Sequence, residues 1–300
     1  MGTRGHWGFC TIAILLALVG NGLGIGQVPL SKTAVKPGNA AGETTIRDAR
    51  TPRGAGSCSA TACHGSAQPS PNRILRNEHL TWITKDKHAE AYNVLHNARS
   101  ASIARNLPGS GLPAYKDARC LACHTTPVVG QAPEANAILI SDGVGCESCH
   151  GASDRWIGEH TRRDWAGRTV LEKERSGMVF VDDLVRRAKV CAECHIGLPA
   201  RDGTPARDVN HDMIAAGHPR LNFEFSAFFE DMPHHWRDAV DPSGSREVGP
   251  DATSDFSARS WAIGQVVSAQ ASLNLLSDRS RQALAEKIHG EPTRWPEFTE

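Results

Sequence analysis

The sequence predicts a mostly α-helical fold with long loops and little strand, on three observations. Apolar residues recur at helical spacing after Glu78, after Asp183 and after Asp255. Pro- and Gly-rich stretches separate those segments, as at Leu107-Pro108-Gly109 and from Gly197 to Asp208. A Cys-x-x-Cys-His run appears at Cys120 to His124, at Cys146 to His150 and at Cys191 to His195.

That run is the attachment signature of a c-type haem. Two thiols add across the vinyl groups of one rigid ring, and the histidine that follows turns onto the iron as its proximal ligand. A widened relative, Cys58-Ser59-Ala60-Thr61-Ala62-Cys63-His64, has four residues between its thiols. Its longer loop can bulge while both sulfurs still reach. The reading is therefore of four haem c groups. Cys58, Cys63, Cys120, Cys123, Cys146, Cys149, Cys191 and Cys194 hold them covalently, and His64, His124, His150 and His195 are the proximal iron ligands. The fold class expected is a multihaem cytochrome c, with helices packed around four apolar macrocycles that form much of the core.

Cysteine arithmetic agrees. Of nine cysteines, Cys10 lies in the N-terminal apolar run, which leaves eight, two for each haem. Lys plus Arg and Asp plus Glu both number 33, so no basic field points to nucleic acid. Residues 1–26 read as a signal peptide: Arg4, an apolar run from Phe9 to Val19, then small Gly-rich residues. Export to the periplasm or beyond suits haem attachment after translocation; an uncleaved N-terminal anchor is the alternative. No later stretch is long and apolar enough to span a bilayer. Residues 27–56 read as a flexible linker, 57–236 as a tetrahaem domain, and 237–300 as a loop and C-terminal helical extension packed on it.

In chain order, Glu78 to about Asn106 reads as one long helix, because it contains no Pro or Gly. His88, Tyr92, Leu95 and Arg99 share a stripe on it, so His88 can point inward. Residues 107–117 form a loop to the second haem site, and Thr125 to Gly145 is mostly loop with an apolar patch at Ile138 to Ile140. Asp182-Asp183 caps a helix with Leu184, Ala188, Cys191 and His195 on one face. A short helix after Asn210 breaks at Gly217 and Pro219, and an apolar segment follows from Phe223 to Phe229. Residues 237–253 read as surface loop. The last helix carries Ala262, Val266, Ala269, Leu273 and Leu276 as the stripe expected to pack on the body.

Paired cysteines also suit structural zinc, and an oxidising compartment suits disulfides. Neither explains a histidine directly after each second cysteine. With those motifs in place, the chain resembles the tetrahaem cytochrome c554 family, which takes part in hydroxylamine oxidation pathways. The resemblance runs from Cys58 to His195 and rests on the four sites in order. It also rests on Trp82, Lys87-His88-Ala89-Glu90-Ala91, Gly143 to Gly151 and Gly158-Glu159-His160. The chain departs from the family at the widened first site, at Ala152-Ser153 in place of Pro-Gly, and after His195.

Four distal iron positions remain. The resemblance implies His88 as the distal ligand of the fourth haem and His160 as that of the first. His218, fixed between Gly217 and Pro219, is the choice for the third haem, with His211 its rival on the same segment. His79 and His96 read as helix-surface residues and His289 as exposed. His234-His235 beside Trp236 fits either a ligand site or polar surface. The resemblance also implies a second haem without a distal side chain, open to small molecules such as nitric oxide, although His211, His234 or His235 could fill it. The function expected is extracytoplasmic electron transfer between redox partner proteins through mostly bis-His haems. A haem enzyme acting on nitric oxide, nitrite or hydroxylamine at the second haem is the alternative.

Overall fold

The computed structural model describes residues 50–72, 74–109, 111–126, 137–201, 204–236 and 255–289. The signal, most of the linker and the 237–253 loop lie outside the described residues, which all belong to one unit, 46–300. The structure is mostly helical with almost no strand. Among the described residues, pairing outside helices is confined to two isolated bridges, Leu198 with Arg207 and Arg201 with Thr204.

The single helix expected over 78–106 is four pieces. Helix α1 (Glu78–Lys85) stops at Asp86, where the backbone turns extended and the carboxylate accepts from the His88 N–H. Turns of 3-10 helix follow at Lys87–Glu90 and Asn93–His96. Asn97 then caps α2 (Ala98–Asn106) by accepting from the Ser100 N–H. Asp and Asn compete with the helix ladder for backbone donors, so the absence of Pro and Gly was not enough. His88 consequently stands on a tight turn.

Short helices carry the next two haem signatures. Asp117, 3 % exposed, caps α3 (Ala118–His124), accepts from the Arg119 N–H and pairs with the Arg119 guanidinium. After α4 (Ala137–Ser141) comes α5 (Cys146–His150), which ends at Gly151. Gly151 has φ +82°, and a Cβ there would run into the Gly177 carbonyl oxygen. Gly151→Ala is therefore expected to cost about 1–3 kcal/mol, read as a lower unfolding midpoint.

Helix α6 (Val170–Arg175) opens on a capping box made by Thr169 and Glu172. Asp183 caps α7 (Leu184–His195), as its sequence predicts, and the fourth signature forms its last turn. Helix α8 (His211–Ala216) ends at a left-handed Gly217, and α9 (Phe225–Asp231) follows. Helix α10 (Phe256–His289) lies along α7 and α9.

Buried apolar residues fall into three separate clusters. Leu184, Ala188, Ala192, Phe225, Phe229 and Val267 join α7, α9 and α10. Ile103, Leu107, Met213 and Ala216 join α2 and α8. Leu95, Ala114 and Leu121 form the third, with Tyr92, Tyr115 and Cys120 against it.

The stripe expected to bury α10 is on its outer side. Val266, Leu273 and Leu276 are 70 %, 63 % and 44 % exposed, while Ser260, Val267, Leu275 and Ala283 face inward. The helix is apolar on two opposite faces, so periodicity alone could not choose between them. What chooses is α9: Phe225, 1 % exposed, lies against Gly264, where any larger residue would clash.

Candidate haem centres

Each histidine that ends a signature has a second histidine ring near it. His64 and His160 have ring centroids 6.3 Å apart and nearly parallel planes, 13°. His124 and His218 are 6.5 Å apart at 83°, His150 and His235 6.3 Å at 79°, and His195 and His88 6.1 Å at 79°. Imidazole nitrogens bind metals at about 2 Å, so an ion held between two rings on one axis sets their centroids about 6 Å apart. All four separations match that span. They are too long for direct ring stacking at van der Waals contact.

The outer edges of six of the eight rings are tied down. His124 Nδ1 meets the Ala91 carbonyl at 2.7 Å, His160 Nδ1 the Ile157 carbonyl at 2.7 Å, and His218 Nδ1 the Pro219 carbonyl at 2.8 Å. His235 Nδ1 meets the Pro233 carbonyl at 3.3 Å. A carbonyl can only accept, so the proton sits on Nδ1 and the Nε2 lone pair is left for a metal. Two rings have carboxylates instead: His64 Nδ1 lies 3.0 Å from Glu78, and His88 Nδ1 lies 2.9 Å from Asp86. Such outer partners fix a ligating ring and raise its basicity.

Local structure explains how the rings are held. The His79 N–H donates to the His64 carbonyl, which brings α1, and Glu78 with it, against the first site. The Val144 N–H donates to the His88 carbonyl, and Trp82 Nε1 donates to the Val144 carbonyl, tying the third signature's entry to the His88 turn. His160 rides on a 3-10 turn behind buried Trp156, braced by Arg168 bridging Glu159 and Asp164. Glu147, inside the third signature and 6 % exposed, accepts from the N–H groups of Arg53, Gly54 and Ser153 at 2.6–3.0 Å.

The thiols of different signatures also meet. Cys58 lies beside Cys146 and Cys123 beside Cys194, while Cys149 lies within electrostatic range of Cys191 and Cys194. Within the first pair the contact draws the Cys58 thiol down to about 6 and pushes Cys146 up. In the second, the contact draws Cys194 down to about 7 and pushes Cys123 up. Burial pushes His150 and His195 down to about 4, which keeps them neutral and able to bind metal at neutral pH. The hydrogen bond to Glu78 raises His64, and that to Asp86 raises His88.

The donor set fits covalent haem. The eight cysteines are free thiols in place beside their histidines, none joined in a disulfide. Among the described residues no three His, Cys, Asp or Glu converge on a bare-ion site, as structural zinc would need. Ser153 Oγ, Trp156 Nε1 and Arg207 Nε are buried polar atoms without a protein partner, and they are of the kind that haem propionates would engage.

His88 faces His195 and His160 faces His64, the same partners that the resemblance implied. His218 does not face His150. Arg99 donates to the Gly217 carbonyl, holding the segment on α2 beside the Ala91 turn, so His218 meets His124. That same ring stands where the second site was expected to be open. His235, left undecided from sequence, faces His150, while His234 stacks on Trp236 at 4.5 Å. His211 is exposed at the start of α8. Sequence reading missed Glu78, Asp86 and Glu147. Asp86 had a local signal, two residues before His88; Glu147 sits inside a signature; Glu78 reaches His64 only through the fold.

Residues 57–151 match the family model described as cytochrome c554 and c-prime. The match spans the first three signatures and supports a cytochrome c554-type family, with the covalent haem c and redox partners of a c-type cytochrome. No curated protein and no solved structure matched the chain significantly. Among the described residues no helix is long and apolar enough to cross a membrane.

Proposed function

We propose that this chain, a c-type cytochrome with a cytochrome c554-type segment over residues 57–151, is an exported electron carrier with four bis-histidine haems. The observation that carries the reading is the set of four ring pairs at 6.1–6.5 Å. The pairs are His64 with His160, His124 with His218, His150 with His235 and His195 with His88. Haem supplies one-electron chemistry when bound, and two imidazoles favour a lower potential than His/Met ligation. The facing rings, held by their outer partners, would need little rearrangement to ligate an iron placed between them.

The signatures sit side by side: Cys58 lies beside Cys146, Cys123 beside Cys194, and Cys149 in electrostatic range of Cys191. Haems held on these cysteines would lie close enough to one another to exchange electrons. An enzyme needs an exchangeable iron position with donors around it. His218 stands in the one place where the family resemblance suggested such a position, so the carrier reading is preferred over the enzyme.

Covalent stoichiometry tests the reading. The mass of the purified holoprotein is expected to exceed that of its polypeptide by four haems. Three would mean that the widened Cys58–Cys63 site goes unused, and zinc without haem would sink the proposal.

A further inference from the structure

The two carboxylates behind ligand rings are not spread at random. Glu78 backs His64 of the first site at 3.0 Å, and Asp86 backs His88 of the fourth at 2.9 Å. The second site has backbone carbonyls behind both rings, from Ala91 and Pro219, and the third has the Pro233 carbonyl behind His235. The thiol contacts pair first with third and second with fourth. Each pair therefore joins one carboxylate-backed site to one carbonyl-backed site.

We propose that Glu78 and Asp86 give each neighbouring pair a built-in polarity, with the first haem lower in potential than the third and the fourth lower than the second. A carboxylate accepting the Nδ1–H draws the proton away from the ring, so Nε2 becomes a stronger donor. Stronger donation and a nearby negative charge both favour the ferric iron. A carbonyl accepts the same proton without a full charge and does less of each. Asp86, with a side chain 7 % exposed, is the less screened of the two, and Glu78 is 17 % exposed. An electron entering either pair settles on the carbonyl-backed member, at the third or the second haem.

This inference rests on the ligand pairs proposed above, and its test separates the two. Potentiometric titration of the wild-type holoprotein, followed by electron paramagnetic resonance, gives a midpoint for each low-spin signal. His160→Ala, His88→Ala, His218→Ala and His235→Ala identify the signals of the first, fourth, second and third haems by converting each to high spin. In the wild type, the first and fourth midpoints are expected below those of their neighbours. Glu78→Gln should raise the first midpoint most and Asp86→Asn the fourth most, with a smaller rise at the third, whose His150 and His235 lie in electrostatic range of these carboxylates, and with the low-spin count unchanged. Asparagine still caps the His88 turn, so the second change removes charge with little loss of structure. Unchanged midpoints with all ligands in place would overturn the inference. So would a wild-type order reversed within either pair, read on the wild type with signals assigned by the ligand variants. High-spin iron at the first or fourth haem of the wild type would instead overturn the ligand pairs themselves.

Discussion

Replacing His218 with alanine is expected to turn the second haem from six-coordinate low-spin to five-coordinate high-spin, while four haems stay attached. Attachment depends on the cysteines, and His124 keeps its hydrogen bond to the Ala91 carbonyl. The removed ring is the one 6.5 Å from His124. The reduced variant should then bind one carbon monoxide or nitric oxide per chain, where the wild type binds none. His211→Ala, a change at an exposed position, should do neither. One ligand bound by the wild type would show that the second haem is open after all, and that the rings pair differently once iron is between them.

Glu147→Ala should give the largest loss of stability. One buried carboxylate satisfies three backbone N–H groups, of Arg53, Gly54 and Ser153. Two of them belong to the segment leading into the first haem site, and the third follows the third site. Each buried donor left without a partner costs about 1–3 kcal/mol. With partial relaxation the sum is about 3–6 kcal/mol, a large share of the roughly 5–15 kcal/mol that a domain has. Denaturant unfolding of the holoprotein measures it. Glu147→Gln keeps one acceptor oxygen and should recover about half. A loss under about 1 kcal/mol for alanine would mean that water takes over the three donors.

The haem signatures are legible in the sequence because their chemistry is local: two thiols and an imidazole within one turn. Helix α7 was legible for the same reason, with Asp183 capping it and Leu184 and Ala188 marking its inner face. The rings opposite were not, since a facing histidine comes from a distant segment whose placement depends on contacts such as Arg99 to Gly217. The break at Asp86 was hidden because the residue that ends α1 does so through its side chain. On α10, two apolar faces left the choice to Phe225 and Gly264, a contact between helices that periodicity does not encode.

Electron paramagnetic resonance on the oxidised holoprotein tests four-fold bis-histidine ligation most directly. Near-parallel imidazoles at the first site, 13°, should give one rhombic low-spin signal. The near-perpendicular pairs at 79°, 83° and 79° should give three strongly anisotropic low-spin signals. No high-spin iron is expected. A high-spin signal amounting to one iron per chain would contradict it, and would leave an exchangeable site in what is proposed to be a carrier.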